Sequence, residues 1–159
     1  MILIADTGAM LGALDRAHPR QKQIQHALAE AGLVVIPPTV LTELDHMVRR
    51  AVKDRSGGRR PHEVRQLGAE ESRRTLQWIL SQVALTRMVI PVIDENILRT
   101  ATNVMNRYAG LAVDLTDATC VALAEEYRTD CVFTIDERDF RAMRPLTGHA
   151  SFRLLPMDL

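Results

Sequence analysis

The chain reads as an α/β protein: a three-layer, doubly wound sheet of mainly parallel strands, built by one domain over residues 1–159. Three observations predict this. Short apolar runs alternate with segments of helical periodicity across short connections, the pattern of successive βαβ units. Leu33-Val34-Val35-Ile36 and Cys131-Val132-Phe133-Thr134-Ile135 are near-continuous apolar runs, as in strands covered on both faces. The length and an apolar fraction of 47% suit one sizeable core, with no internal repeat or linker to divide it.

The first strand is Met1-Ile2-Leu3-Ile4-Ala5, and it ends on a carboxylate, Asp6, before Thr7, Gly8 and a short helix Ala9–Leu14. His18-Pro19 breaks to a second helix, with Ile24, Ala27, Leu28 and Ala31 at helical spacing and Gly32 as its C-cap. After the strand Leu33–Ile36 and Pro37-Pro38, Thr39 is the expected N-cap of a helix through Val48. Its apolar face is Val40, Leu44, Met47 and Val48, with Glu43 beside the stripe. The stretch from Arg49 to Arg65 has no apolar face and contains Ser56-Gly57-Gly58, so it reads as a mobile basic loop. A longer helix is expected from Gly68 to Arg87, with Leu76, Ile79, Leu80 and Val83 inward and Trp78 at the rim. Met88–Ile93 reads as a strand that Pro91 confines to an edge. Asp94 caps the next helix, Leu115-Thr116-Asp117 enters another through Glu126, and Asp136 closes the strand Cys131–Ile135. One helical turn at Arg138-Asp139-Phe140 and a last strand Phe152–Leu155 complete the pattern.

Twenty basic and twenty acidic residues cancel, so no global field draws in an anionic polymer, and any nucleic-acid contact must come from a local patch. Cys120 and Cys131 lie in apolar company without CxxC spacing or a His pair, as reduced core thiols of a cytosolic protein. No apolar run approaches the roughly 18 residues of a membrane helix, and Met1-Ile2-Leu3 lacks a charged leader. The expectation is a soluble, cytoplasmic protein without a membrane partner.

Asp6, Glu43, Asp117 and Asp136 each fall where a strand stops or a helix starts. Any one of them alone reads as a helix cap. In a doubly wound sheet, however, the carboxyl ends of neighbouring strands share one edge. Four carboxylates there repel one another and raise each other's pKa unless a cation compensates, and hard oxygen ligands select Mg²⁺ or Mn²⁺ over zinc. Such a centre lowers the pKa of a bound water and neutralises charge on a phosphoryl group. The chain offers no Gly-x-Ser-x-Gly elbow, Cys–His pair or phosphate-cradling glycine loop. Metal-dependent hydrolysis of a phosphodiester fits the available groups best.

Ile4-Ala5-Asp6-Thr7, Thr42-Glu43-Leu44, Leu115-Thr116-Asp117-Ala118 with Val121-Ala122-Leu123-Ala124, and Phe133-Thr134-Ile135-Asp136-Glu137-Arg138-Asp139-Phe140 resemble the successive signatures of the PIN domain. More narrowly the chain resembles the VapC-type toxins of type II toxin–antitoxin pairs, including Arg144-Pro145 and Leu154-Leu155-Pro156 near its end. The resemblance runs nearly end to end and implies a PIN-like fold and a Mg²⁺- or Mn²⁺-dependent endoribonuclease. It also implies Asp6, Glu43, Asp117 and Asp136 as the catalytic acids, with Asp6, Asp117 and Asp136 on the metal. Thr7 and Thr134 then supply supporting hydroxyls. The implied partners are an RNA substrate, a cognate antitoxin and a second copy in a homodimer.

Asp114 and Asp139 are further candidates for supporting roles at the site, while Asp45 and Asp94 read as structural and His46 as a surface histidine. Arg49, Arg50, Lys53, Arg55, Arg59, Arg60 and Arg65 are candidate phosphate contacts, against the plainer reading of a solvated charge run. Two other functions stand beside the ribonuclease: a nuclease-fold binding module whose acids are only caps, and a DNA nuclease of the same fold.

Overall fold

The computed structural model describes residues Met1–Leu159. Its strands are β1 (Ile2–Ala5), β2 (Leu33–Val35), β3 (Met88–Val89), β4 (Cys131–Phe133) and β5 (Arg153–Leu155). The helices are α1 (Thr7–Leu14), α2 (Gln21–Glu30), α3 (Pro38–Arg55), α4 (Pro61–Ala84), α5 (Glu95–Arg107), α6 (Leu115–Glu126) and α7 (Glu137–Ala142). The five strands form one parallel sheet in the order β3-β2-β1-β4-β5. Ile4 of β1 lies opposite Val35 of β2 and Val132 of β4. The chain leaves β1 toward β2 and β3, then crosses back to β4 and β5, so the strand order reverses between β1 and β4. For this strand order the rule of right-handed crossovers assigns α1–α4 to one face and α5–α7 to the other. Open α/β sheets bind ligands at such a reversal, beyond the carboxyl ends of the strands.

Thirty-four buried apolar residues make up the core, which includes Leu3, Ile4, Val34, Val35, Val132 and Phe133 from the strands. In α6, every residue from Ala118 to Ala124 is buried, which explains why its sequence shows no polar face. A helix buried all round carries Asp117 at its first turn, and the packing of β1 and β4 fixes where that acid sits.

Several expectations need correction. Residues 49–65 are not a mobile loop: α3 continues to Arg55, and α4 starts at Pro61. Only Ser56–Arg60 turns, with Gly58 at φ +79°. The two helices pack on each other as a hairpin, so neither needs an apolar stripe wide enough to face the sheet. α4 buries Gly68, Ser72, Thr75 and Ile79, at i, i+4, i+7 and i+11, while Leu76 and Leu80 are 40% and 59% exposed. Small residues line this seam because α3 comes close: a Cβ on Gly68 would lie 3.6 Å from the Arg49 Cα. Ser72 also donates to the Asp45 carboxylate across the seam. Trp78 is half-buried against the core.

Helix α3 begins at Pro38, with Pro37 ahead of it, so Thr39 is not its cap; proline's fixed φ suits a first helical turn. Helix α2 closes at Ala31 in extended backbone, and Gly32 instead donates its N–H to Met1 O at 2.9 Å. The edge strand β3 has two residues and stops before Pro91. The loop after β4 begins at Thr134, so β4 is shorter than its apolar run. Cys120 and Cys131 are buried and free. No helix is long and apolar enough to cross a membrane.

Candidate active site

Asp6 directly follows β1 and caps α1: its Oδ1 accepts from the Thr7 N–H at 2.7 Å. Oδ2 accepts from the Thr134 hydroxyl at 2.7 Å, across the β1–β4 junction. A hydroxyl has one proton, so Thr134 Oγ1 gives it to Asp6 and accepts in turn from the Asp136 N–H at 3.0 Å. Thr7 donates its own hydroxyl to Glu43 Oε2 at 2.8 Å, tying α3 to the end of β1. The two threonines therefore set the orientation of two carboxylates. Burial pushes the Asp6 carboxyl above its ordinary value; the hydrogen bonds from Thr134 and Thr7 oppose this, and the Glu43 charge adds to it.

At the start of α6 the roles of the two acids differ from the expected ones. Asp114 is the cap, its Oδ1 accepting from the Asp117 N–H at 2.9 Å. Asp117, at the third helical position, is thereby released from capping, and its own carboxylate accepts no hydrogen bond. Its pKa is pushed up to about 7, first by burial and then by the charges of Asp114, Asp6, Asp139 and Asp136. Asp136 caps α7 by accepting from the Arg138 N–H at 3.1 Å. Asp139 pairs with the Arg138 guanidinium at 2.8 Å, which holds its carboxyl below the usual range.

These six carboxylates line one cavity of about 240 Å³, together with Thr7, Gly8, Met47 and Phe140. Asp6, Glu43, Asp117 and Asp136 are all there, and so are Asp114 and Asp139. Met47 and Phe140 were not singled out from the sequence; Met47 lies one helical turn beyond Glu43, which was the available signal. No three of the acids converge closely enough to hold an ion as they stand, since Asp114 and Asp136 are turned to their caps and Asp139 to Arg138. The donor set still suits a hard divalent cation: it is all oxygen, free of Cys and His, and it surrounds an unpartnered carboxylate whose pKa is raised by burial and, next, by the neighbouring acids.

The basic residues lie apart from this cavity. Arg49, Arg50, Lys53 and Arg65 line a separate hollow of about 670 Å³ between α3 and α4. Arg55 and Arg59 line another with Arg74, Glu70 and Glu71. Arg60 is engaged with Glu63 at 2.7 Å. Asp45 accepts from Arg49 and Ser72, Asp94 caps α5, and His46 is exposed.

The family model of the PIN domain matches residues 3–144. Over 164 aligned residues the chain is 26% identical to Ribonuclease VapC26 of Mycobacterium tuberculosis (strain ATCC 25618 / H37Rv), covering 97% of this chain and all of that protein. Among solved structures, Mycobacterium tuberculosis VapC20, described as a sarcin–ricin loop cleaving toxin, superposes with a TM-score of 0.68 at 17% identity. The match covers 89% of this chain and 94% of that one, and it bears on the fold.

Proposed function

The chain belongs to the PIN domain family, and from that premise we propose that it is the endoribonuclease toxin of a type II toxin–antitoxin pair, hydrolysing RNA phosphodiesters at the acid cavity. The observation that carries the reading is the convergence of Asp6, Glu43, Asp117 and Asp136 on one cavity at the β1–β4 reversal, with the Asp117 carboxyl unpartnered. The names of the relatives agree with it: one is a ribonuclease, the other an RNA-loop-cleaving toxin.

In this reading Asp6, Asp117 and Asp136 hold Mg²⁺ or Mn²⁺, with Glu43 as the fourth catalytic acid. When bound, such an ion supplies Lewis-acid chemistry: it offsets charge building on a phosphoryl oxygen and lowers the pKa of water. The protein's own part is orientation. Thr134 and Thr7 fix the Asp6 and Glu43 carboxylates, and the buried α6 holds Asp117 at the cavity wall. With its pKa raised to about 7, the Asp117 carboxyl would have to be deprotonated to act as a ligand, so metal binding there would be pH-dependent.

The same reading includes a protein antitoxin that silences the enzyme, and a homodimer. The outward Leu76 and Leu80 of α4 are apolar surface open to such contacts. It places the protein in the cytoplasm as one domain spanning the chain.

The test is Mn²⁺-dependent cleavage of a mixed set of structured and single-stranded RNAs, with single-stranded DNA alongside, by the wild type, Asp6→Asn and Asp117→Asn, with a chelator as control. Chelator-sensitive cutting that disappears in the variants is expected. Cutting that survives in Asp6→Asn and Asp117→Asn would overturn the reading; cutting of DNA alone would favour the DNA nuclease, and neither cutting nor metal binding the bare module.

A further inference from the structure

Between Arg49 and Arg65 seven Lys and Arg residues stand against two acids, in a chain whose formal charge is zero. The α3–α4 hairpin is thus the positive pole of a molecule whose acid cavity repels a polyanion. Its two hollows differ in charge. In the smaller one, of about 310 Å³, Glu70 and Glu71 accompany Arg55, Arg59 and Arg74, and Arg74 pairs with both acids. The larger one, of about 670 Å³, has Asp54 as its single acid. There Arg49 is turned to Asp45, Arg50 lies 3.9 Å from Asp54, and Lys53 and Arg65 make no ion pair.

Helical spacing decides which hollow continues the cavity. Glu43 and Met47 line the cavity, and Arg50 and Asp54 follow Glu43 at i+7 and i+11, on the same face of α3. Val52 and Ser56 lie on the other side of that helix, and Lys53 and Arg55 flank the cavity line at equal angles, Lys53 in the hollow of Arg50 and Arg55 in the hollow of Glu70 and Glu71. At a rise of 1.5 Å per residue, Arg50 stands about 10 Å and Lys53 about 15 Å along α3 from Glu43. At roughly 3.4 Å per nucleotide of a stacked strand, this corresponds to about three to four nucleotides.

We propose that the hollow of Arg50, Lys53 and Arg65 holds phosphates of the RNA strand about three to four nucleotides from the acid cavity, and that the Arg55–Arg59 side does not. The proposal rests on the ribonuclease reading. All three residues are exposed, so neutralising them leaves the packing of the hairpin intact.

The experiment follows anisotropy of a fluorescein-labelled 12-nucleotide oligouridylate with chelator present, between 50 and 200 mM KCl, in an Asp6→Asn parent. Far-UV circular dichroism checks each fold. Removing three phosphate contacts should flatten the slope of log affinity against log salt by about 2 in Arg50→Gln/Lys53→Gln/Arg65→Gln, from about 0.7 per contact on a single strand. Over that fourfold range of salt, the parent then weakens roughly 20-fold more than the triple variant. Arg55→Gln/Arg59→Gln should keep the parent slope. Equal flattening in both variants would overturn the proposal, because net charge alone would then explain binding. A triple variant that keeps its RNA affinity and loses binding to poly-glutamate would overturn it in favour of an acidic protein segment on the hairpin. A parent that binds no oligouridylate even at 50 mM KCl would count against the ribonuclease reading itself.

Discussion

Replacing Asp117 with Asn should stabilise the metal-free protein and abolish its activity. Asp117 is the one site carboxylate without a hydrogen-bond partner, and its pKa rises from 3.8 to about 7 through burial and four neighbouring acids. A rise of about 3 units corresponds to roughly 4 kcal/mol of disfavoured ionisation, and partial solvent screening reduces this to about 2 kcal/mol. Because the folded pKa is the raised one, the folded state holds the proton more tightly than the unfolded chain. The penalty is therefore absent below about pH 4, grows between pH 4 and 7, and is complete above pH 7. Asn keeps the shape without the charge. In chelator at pH 8 the variant should melt about 4–8 °C above the wild type, at roughly 2–4 °C per kcal/mol for a chain of this size. At pH 4 the gap should fall to less than half. Differential scanning calorimetry at both pH values reads this. An Asn variant less stable at pH 8, or a gap that does not change with pH, would refute the account of crowded carboxylates.

Thr134→Val removes the hydroxyl that donates to Asp6 and accepts from the Asp136 N–H, and should cost about 1–3 kcal/mol with a matching loss of cleavage. Chemical denaturation and RNA cleavage check the two effects. Mn²⁺ at 100 times its dissociation constant should stabilise the wild type by about 2.7 kcal/mol and leave Asp6→Asn/Asp117→Asn unmoved, as read by thermal shift. Asp114→Ala deletes the cap of α6 and should cost about 1 kcal/mol of stability, while lowering cleavage far less than Asp117→Asn does. Ser72→Ala breaks the bond to Asp45 across the hairpin and should destabilise by about 1 kcal/mol; faster amide exchange in α3 and α4 would report it.

The sheet was legible because its strands are buried on both faces and therefore read as unbroken apolar runs: Ile2–Ala5, Leu33–Val35 and Cys131–Phe133 each sit inside one. Asp6 was legible for the same reason, since a carboxylate that directly follows a buried strand lies at the carboxyl edge of the sheet; Glu43 and Asp117 sit in the helices α3 and α6, and Asp136 caps α7 with Thr134 and Ile135 between it and β4. The hairpin was not. Residues 49–55 and 61–65 extend α3 and α4 with mainly charged, outward side chains around Ser56-Gly57-Gly58, so the stretch looked like a loop, while the seam is made by Gly68, Ser72 and Thr75. Leu76 and Leu80 carry the hydrophobic period and face outward. Capping was ambiguous at α6 because Asp114 and Asp117 are three residues apart and either can end a helix; backbone geometry assigns the cap to Asp114 and leaves Asp117 free.

The most direct test of the central claim, that these carboxylates hold a divalent cation, is the anomalous difference density of a crystal of the wild type soaked in Mn²⁺. The account predicts a peak in the cavity against Asp6, Asp117 and Asp136, absent from an Asp117→Asn crystal. A cavity without a peak at saturating Mn²⁺, or a peak that persists in the variant, would contradict it.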